Sequence, residues 1–204
     1  MLEFQPTQLP VMEHFHTLQG EGRWTGTPAY FIRLAGCDVG CVWCDVKESW
    51  TADATQLMDI SALVELARTS QAPVAVVTGG EPAMYDLGPL TQALHAAGLR
   101  THIETSGAHP YSGEWDWITL SPKKFKAALP EWFDVAHELK MIAYNQHDLE
   151  WAEGQAARCD RGKTMLYLQP EWSRRDRVHT LIDYIKAHPW WKLGLQTHKY
   201  VNIP

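Results

Sequence analysis

The sequence GCDVGCVWCD at residues 36–45 places Cys37, Cys41 and Cys44 at the spacing C-x3-C-x2-C, directly after an apolar run at residues 29–34 that predicts a buried strand. Thiolates are ligands of zinc and of iron–sulfur clusters. Glycines on the loop let the backbone curl so that the sulfurs converge. A structural zinc ion takes four protein ligands, whereas three thiolates on a [4Fe–4S] cluster leave one iron open. The stretch therefore predicts either a cluster with an open iron or a zinc site that uses a fourth side chain.

The composition is typical of a soluble globular protein. With 204 residues, 45% of them hydrophobic, the chain can bury a sizeable core, and we expect a single domain over residues 1–204. The net charge of −6 argues against nonspecific binding to nucleic acid. No apolar run approaches the length of a membrane span, and the first six residues lack the features of a signal peptide. Because three of the four cysteines are clustered, we expect a cytoplasmic protein in a reducing compartment.

Apolar periodicity predicts strands that alternate with helices. Ser61 is the candidate N-cap of the first helix and Gly98 the candidate C-cap of the second. Strands alternating with helices form right-handed βαβ units around a mostly parallel sheet. Strands are expected at residues 11–17, 29–34, 73–78, 100–104, 115–120, 138–144, 164–168 and 192–196, and helices at 60–69, 87–97, 148–159 and 178–187.

Polar and glycine-rich motifs follow the ends of several predicted strands. Parallel α/β folds collect their ligand sites at the carboxyl edge of the sheet, so we expect these motifs to form one active-site face. They are LQGEG at 18–22, TGGEP at 78–82, ETSG at 104–107, SPK at 121–123 and QTHKYVNIP at 196–204.

Together with Arg33 and the cysteine spacing, the order of these motifs resembles the radical S-adenosylmethionine (SAM) superfamily and, within it, the 7-carboxy-7-deazaguanine synthases. The resemblance extends over residues 13–204 and implies an α/β fold, an incomplete (β/α) barrel of mostly parallel strands. It implies that the open iron of a [4Fe–4S] cluster binds SAM, which is cleaved to a 5′-deoxyadenosyl radical. That radical chemistry converts 6-carboxy-5,6,7,8-tetrahydropterin to 7-carboxy-7-deazaguanine with loss of ammonia, in queuosine biosynthesis.

The resemblance also implies a role for each matching residue, and it places the radical on the cofactor rather than on a protein side chain. The cluster would be held by Cys37, Cys41 and Cys44. SAM would be bound by Trp43, Asp45, Gly80, Glu104, Ser106, Ser121, Pro122, Lys123, Gln169, Pro170, Glu171 and Trp172. The pterin would be bound by Leu18, Gln19, Gly20, Arg33, Thr78 and Pro204.

Elementary chemistry supports several of these roles and offers alternatives to them. The guanidinium of Arg33 suits a substrate carboxylate, although arginines commonly form surface ion pairs. Gly79 and Gly80 can present bare backbone carbonyls to an ammonium, or they mark a strand-to-helix turn. Trp43 either rests against adenine or packs in the core. The carboxylate of Pro204 could bind the guanidine-like edge of a pterin, in place of the frayed tail expected of a terminus.

One position departs from the family pattern. The resemblance implies a magnesium ion held by a threonine two residues after the third cysteine, where this chain has Val46. Valine offers no oxygen ligand to Mg²⁺. Either the ion is held by substrate and water with help from Asp45 or Glu48, or it is absent. We favour its absence, with Lys47 supplying positive charge near the substrate carboxylate.

The resemblance implies partners, and two other functions fit part of the sequence. A small flavoprotein would donate electrons and the chain would form a homodimer, with neither nucleic acid nor membrane as a partner. A glycyl-radical-enzyme activase would share the cysteines and the GGEP motif but has no need of Arg33 or the C-terminal run. A zinc-stabilised, non-catalytic binding module would complete its metal site with Cys159 or one of the ten histidines.

Overall fold

Nine strands form one open sheet in the computed structural model, which describes residues 7–42 and 44–204. Their order across the sheet is β3-β1-β2-β4-β5-β6-β7-β8-β9. β1 is antiparallel to both of its neighbours, whereas β2 and β4 to β9 run parallel. The predicted incomplete barrel of mostly parallel strands is confirmed. The strands are β1 (Gln8–Leu18), β2 (Pro28–Leu34), β3 (Leu57–Asp59), β4 (Val74–Gly79), β5 (Arg100–Thr105), β6 (Trp117–Leu120), β7 (Glu138–Ala143), β8 (Met165–Pro170) and β9 (Trp191–Leu193).

Helices lie between most of the parallel strands, and one more follows the last strand. They are α1 (Ile60–Thr69), α2 (Gly88–Ala96), α3 (Pro130–Val135), α4 (Gln146–Ala156), α5 (Val178–Ala187) and α6 (Thr197–Val201). The four predicted helices are present, with ends that differ by up to three residues. β3, α3 and α6 were not predicted, because elements of three to six residues carry too little periodicity to be recognised.

The start of α1 corrects one prediction. Asp59 occupies the N-cap position, and Ser61 lies inside the helix. The Asp59 carboxylate accepts a hydrogen bond from Gln8 Nε2 (2.9 Å), because β3 pairs with β1 up to the helix start. The prediction that Ser61 caps the helix is therefore wrong. At the end of α2, Ala97 occupies the C-cap position and Gly98 follows it with a φ of +82°, so the predicted glycine ends the helix from the position after the C-cap.

α4 begins two residues earlier than its apolar spacing predicts. The Asn145 side chain accepts a hydrogen bond from Asp148 N (3.3 Å), and the Asp148 carboxylate accepts one from Asn145 N (2.9 Å). This reciprocal capping box satisfies backbone donors of the first turn and sets the start at Gln146.

Alternation along the strands separates the core from the site. On β2, Ile32 and Leu34 pack into the main hydrophobic core together with residues of the helices. Phe31 and Arg33 point to the opposite face of the sheet and line a cavity there. On β5, Ile103 likewise enters the core whereas Glu104 lines the cavity. In the described part of the chain, no helix is both long and apolar enough to cross a membrane.

Candidate active site

A cavity of about 280 Å³ lies at the carboxyl ends of the parallel strands. Arg33 of β2, Thr78 of β4, Glu104 of β5 and Gln169 of β8 all line it. This is the edge at which the sequence predicted one active-site face. The cavity is near the lower end of the range for small-molecule sites.

The three thiols of the cysteine stretch line this cavity. Cys41 is buried against Val39 and Ala108, and the half-buried Cys37 and Cys44 pack on the same small cluster. Burial raises the pKa of Cys41 to about 11 and also raises the pKa of Cys37. Both thiols are therefore protonated at neutral pH in the metal-free protein, so that binding of iron must release their protons.

Backbone contacts at two glycines anchor the cysteine loop. Gly36 N donates to Ser49 O (2.7 Å), and Glu81 N donates to Gly36 O (2.8 Å). A Cβ atom at Gly80 would lie 2.2 Å from Gly36 O, which is too close for any side chain. Glycine is thus required at residue 80 by packing against the cysteine loop, whether or not its carbonyl also contacts a ligand.

The buried carboxylate of Glu81 ties the end of β4 to the ETSG motif. It accepts hydrogen bonds from Ser106 N (2.8 Å) and Ala83 N (3.0 Å), and also from the hydroxyls of Thr105 and Ser106. Four donors on one carboxylate hold these loops in a fixed arrangement. The glutamate of the GGEP motif therefore acts by orienting its neighbours.

Polar groups beside the thiols fit a bound cofactor. Lys123 Nζ donates to Ser121 O (2.5 Å) and Ser121 Oγ (2.6 Å), and burial lowers the pKa of Lys123 to about 8. Gln169 is 2% exposed, and its Oε1 finds no hydrogen-bond partner within the described residues. Buried amide oxygens are normally satisfied, so a donor on a ligand in this cavity would complete the environment of Gln169. The donor set as a whole fits an iron–sulfur cluster with a polar cofactor beside it.

Cys159 is separate from the other three cysteines. It packs against the main hydrophobic core, with Sγ 4.0 Å from Gln155 O. Cys159 therefore does not complete a zinc site with the cysteine stretch. Among residues 7–42 and 44–204, the three clustered thiols included, no group of three or more His, Cys, Asp and Glu side chains converges on a single metal ion. In a [4Fe–4S] cluster each thiolate binds a different iron.

The cavity brings together all but two of the residues that the sequence predicted for the site. Pro122 instead lines a small second cavity of about 40 Å³. Trp43 lies outside the described residues. So do residues 1–6, from which the absence of a signal peptide was predicted. The predicted residues on the cavity wall are Leu18, Gln19, Gly20, Arg33, Cys37, Cys41, Cys44, Asp45, Thr78, Gly80, Glu104, Ser106, Ser121, Lys123, Gln169, Pro170, Glu171, Trp172 and Pro204.

Other wall residues were given no site role from sequence. They include Phe15, Glu21, Phe31, Glu81, Lys140, Gln196 and His198. Lys140 had a recognisable signal, because the alternation of β7 puts Glu138 and Lys140 on the same face. Such a polar face is normally read as solvent-exposed, yet both residues are buried here. In an incomplete barrel that face points into the cavity.

The residues after the third cysteine do not offer a side-chain site for magnesium. Val46 lines the cavity, and Asp45 beside it forms an ion pair with Lys199 (2.8 Å). Burial opposes ionisation of Asp45, but Lys199 holds the pKa of this carboxyl below its usual value. Lys47 is exposed, with its Nζ 5.9 Å from the centre of the Trp50 ring. Lys47 does not line the cavity, whereas Lys123 and Lys140 do, so the suggestion that Lys47 supplies charge near the substrate carboxylate stays a prediction without support from this geometry.

An open, mostly parallel sheet with three clustered thiols at its carboxyl edge is the architecture of a radical SAM enzyme. A family model described as the radical SAM superfamily matches residues 31–140, which is more than half of the chain. The model begins within β2 and ends within β7, and so includes the cysteine stretch and the GGEP motif.

Full-length relatives narrow this class to one family. A Flavobacterium psychrophilum protein named 7-carboxy-7-deazaguanine synthase is 53% identical over 96% of this chain and 93% of its own length. The Synechocystis sp. protein of the same name is 46% identical, over 98% of this chain and 96% of its own. The crystal structure of QueE from Escherichia coli matches with a TM-score of 0.85 and 34% identity, over 94% of this chain and 95% of that one. The chain belongs to the 7-carboxy-7-deazaguanine synthase family, which these matches support over the activase and the zinc-stabilised module.

Proposed function

We propose that this protein converts 6-carboxy-5,6,7,8-tetrahydropterin to 7-carboxy-7-deazaguanine with loss of ammonia, as a radical SAM enzyme. The observation that carries the proposal is that the three thiols share one cavity wall with Arg33 and the carboxylate of Glu104. A cluster held by Cys37, Cys41 and Cys44 would supply the electron that cleaves SAM, and the resulting radical would start the pterin rearrangement.

The protein side chains position the two small molecules. Lys123, Gln169 and Ser121 share the cavity wall with the thiols, and they offer donors and acceptors for the polar groups of SAM. Glu81, by holding Thr105 and Ser106, keeps this side of the cavity rigid. Fixed geometry between the cofactor and the substrate is the protein's main contribution to radical chemistry.

The pterin side of the cavity offers a cation and an aromatic wall. Arg33 Nε donates to Glu13 Oε1 (2.6 Å), and a substrate carboxylate would compete with Glu13 for the same guanidinium. The rings of Phe15 and Phe31 stack with centroids 5.5 Å apart and planes 6° apart, and both line the cavity. Leu18, Gln19, Gly20, Thr78 and Pro204 complete this side.

The domain organisation, oligomeric state, cellular location and electron donor of the protein are also proposed here. We infer that the chain acts as one radical SAM domain over residues 1–204, as a homodimer in the cytoplasm, with a small flavoprotein as electron donor. A reducing compartment suits the four free thiols. The buried hydrogen bonds that cross the sheet, such as that from Gln19 Nε2 to Glu104 Oε1 (3.0 Å), are consistent with a single folding unit.

Anaerobic reconstitution tests the proposed function. The protein is loaded with iron and sulfide and then given SAM, a reductant and 6-carboxytetrahydropterin. We expect 7-carboxy-7-deazaguanine and ammonia in equal amounts, with SAM required for turnover. Release of 5′-deoxyadenosine without deazaguanine would show a radical SAM enzyme with another substrate. Tetrahedral zinc in place of iron would reject the whole assignment.

The reaction should not depend on added magnesium. Val46 supplies no oxygen ligand, Asp45 is paired with Lys199, and Glu48 is exposed and does not line the cavity. We expect the rate in chelator to lie within about twofold of the rate with Mg²⁺, because no strong side-chain site is available. The measurement is turnover in each condition for the wild type and for Val46→Thr, which restores a hydroxyl. A strong magnesium requirement in the wild type would contradict this prediction.

A further inference from the structure

A closed ring of hydrogen bonds lies on the pterin side of the cavity. Lys140 Nζ donates to Glu21 Oε2 (2.5 Å) and to Glu104 Oε2 (2.9 Å). The second oxygen of Glu104 accepts from Gln19 Nε2 (3.0 Å), and Gln19 Oε1 accepts from Glu21 N (3.1 Å). The second oxygen of Glu21 accepts from Gln196 Nε2 (2.9 Å). All five side chains line the cavity.

The ring places two carboxylates and one ammonium in a site largely closed to water. The Lys140 side chain is 10% exposed, and those of Glu21 and Glu104 are 12% and 18% exposed. Two carboxylates this close cannot both stay ionised without a cation between them. Since breaking a buried ion pair leaves an uncompensated charge, Lys140 controls the charge of both partners.

The surrounding charges support the same conclusion. Burial opposes the charged form of Lys140, but Glu104 and Glu21 outweigh it and raise the pKa of the ammonium. Burial likewise opposes ionisation of Glu104, yet Lys140 holds the pKa of this carboxyl below its usual value. Other charged or titratable groups that face the ring are Arg33 on β2, Asp45 after the cysteines, Lys123 after β6, Glu138 on β7 and His198 on α6.

We propose that Lys140 is a positioning residue that holds Glu21 and Glu104 ionised and oriented toward the pterin. The inference rests on the proposed function, because the pyrimidine edge of a pterin presents N–H donors that match carboxylate acceptors. Lys140 acts through the two carboxylates, since the hydrogen bonds from its Nζ go to Glu21 and Glu104. Without its charge, one of the two carboxyl groups takes up a proton and loses an acceptor.

Lys140→Met keeps the length of the side chain and removes its charge. Infrared titration of the cluster-loaded protein between about pH 6 and 9 should reveal one protonated carboxylic acid more than in the wild type. Glu138, whose pKa burial raises to about 7, also faces Lys140 and titrates in this range, so Glu138→Gln is introduced into both proteins before their spectra are compared. The extra acid should vanish in Lys140→Met/Glu104→Gln, where only one carboxyl remains in the ring.

Ligand binding separates positioning from general stability. The Kd of 6-carboxypterin should rise about tenfold or more in Lys140→Met, and binding should strengthen as pH rises because the lost acceptor is regained. The Kd of SAM should change less than about twofold, since the hydrogen bonds of the ring, within the described part of the chain, join its own five members and not Ser121 or Gln169. Glu104, to which the family resemblance gave a role in SAM binding, belongs to this ring, and we assign it to the pterin instead. Lys124→Met is the matched control, because Lys124 pairs with Asp148 outside this cavity (2.6 Å).

Two results would overturn the inference. One is a Lys140→Met protein with no additional carboxylic acid and wild-type pterin affinity. The other is an equal loss of pterin and SAM affinity, which would mean that Lys140 serves the fold alone. Failure of the wild-type protein to bind the pterin would instead reject the proposed function. The infrared titration would still show whether Lys140 keeps Glu21 and Glu104 ionised.

Discussion

Replacing Cys41 by serine should abolish turnover, with a loss of at least about 1,000-fold, because a hydroxyl is a poor ligand for an iron–sulfur cluster. Cys41 is the most buried of the three cysteines on the cavity wall. Its thiol packs against Val39 and Ala108 rather than in the main core. The variant should therefore fold but bind little iron. Iron and sulfide content per chain, together with the visible absorption of the cluster, measures the effect.

Cys159→Ser is the matched control for this experiment. Cys159 packs against the main hydrophobic core, away from the cavity, and burial raises the pKa of its thiol to about 11. Because Cys159 does not line the cavity with the other three thiols, it is not placed to bind the cluster. The control should keep wild-type iron content and activity. Loss of metal from Cys159→Ser, or full iron loading of Cys41→Ser, would show that the three-thiol site is wrong.

Gly80→Ala should produce the second large effect. The added Cβ would lie 2.2 Å from Gly36 O and 2.8 Å from Ser49 O. Both are backbone atoms, so neither can move aside as a flexible side chain would. Overpacking of this kind costs about 3 kcal/mol, and relief requires the cysteine loop to shift. We expect a lower melting temperature, and also a loss of SAM affinity of about tenfold or more, because the loop carries the cluster.

Gly154→Ala tests the same chemical change without the clash. Gly154 lies inside α4, and nothing is within 4 Å of the Cβ it would gain. Alanine in a helix interior is more favourable than glycine by about 0.5–1 kcal/mol, so this control should melt slightly higher than the wild type. Equal melting temperatures and equal SAM affinities for Gly80→Ala and the wild type would refute the packing argument.

The sequence predicted the frame of the active site well, because local signals coincide there with the fold. The run from Val74 to Val77 is apolar and mostly β-branched, and the glycines that follow it favour the end of a strand. The cysteine spacing and the apolar run before it likewise predict a strand that ends in a ligand-binding loop. Most of the predicted ligand residues accordingly lie on one cavity wall.

What could not be predicted depends on contacts between distant parts of the chain. Helix α6 has only five residues, and it is held by Thr197, whose N and Oγ1 donate to Gly20 O (2.8 and 2.9 Å). The role of Lys140 depends on carboxylates that come from two other elements. Neither partner is visible in the sequence around residue 140. The packing that requires glycine at residue 80 could not be predicted for the same reason, since Gly36 and Ser49 are far from residue 80 in the sequence.

The route by which the cavity is assembled follows from these distances. The backbone hydrogen bonds of Gly36 join the cysteine loop to Ser49 and Glu81, which can come together once the first parallel strands have paired. The ion pair of Asp45 with Lys199 instead requires the end of the chain. The opposite wall requires Glu21 to meet Gln196, 175 residues further along the chain. Contacts of such high sequence separation form late in folding. The backbone frame of the cysteine loop can thus form in a chain whose substrate side is still open to solvent, and the ion pair of Asp45 with Lys199 completes the metal-binding side later.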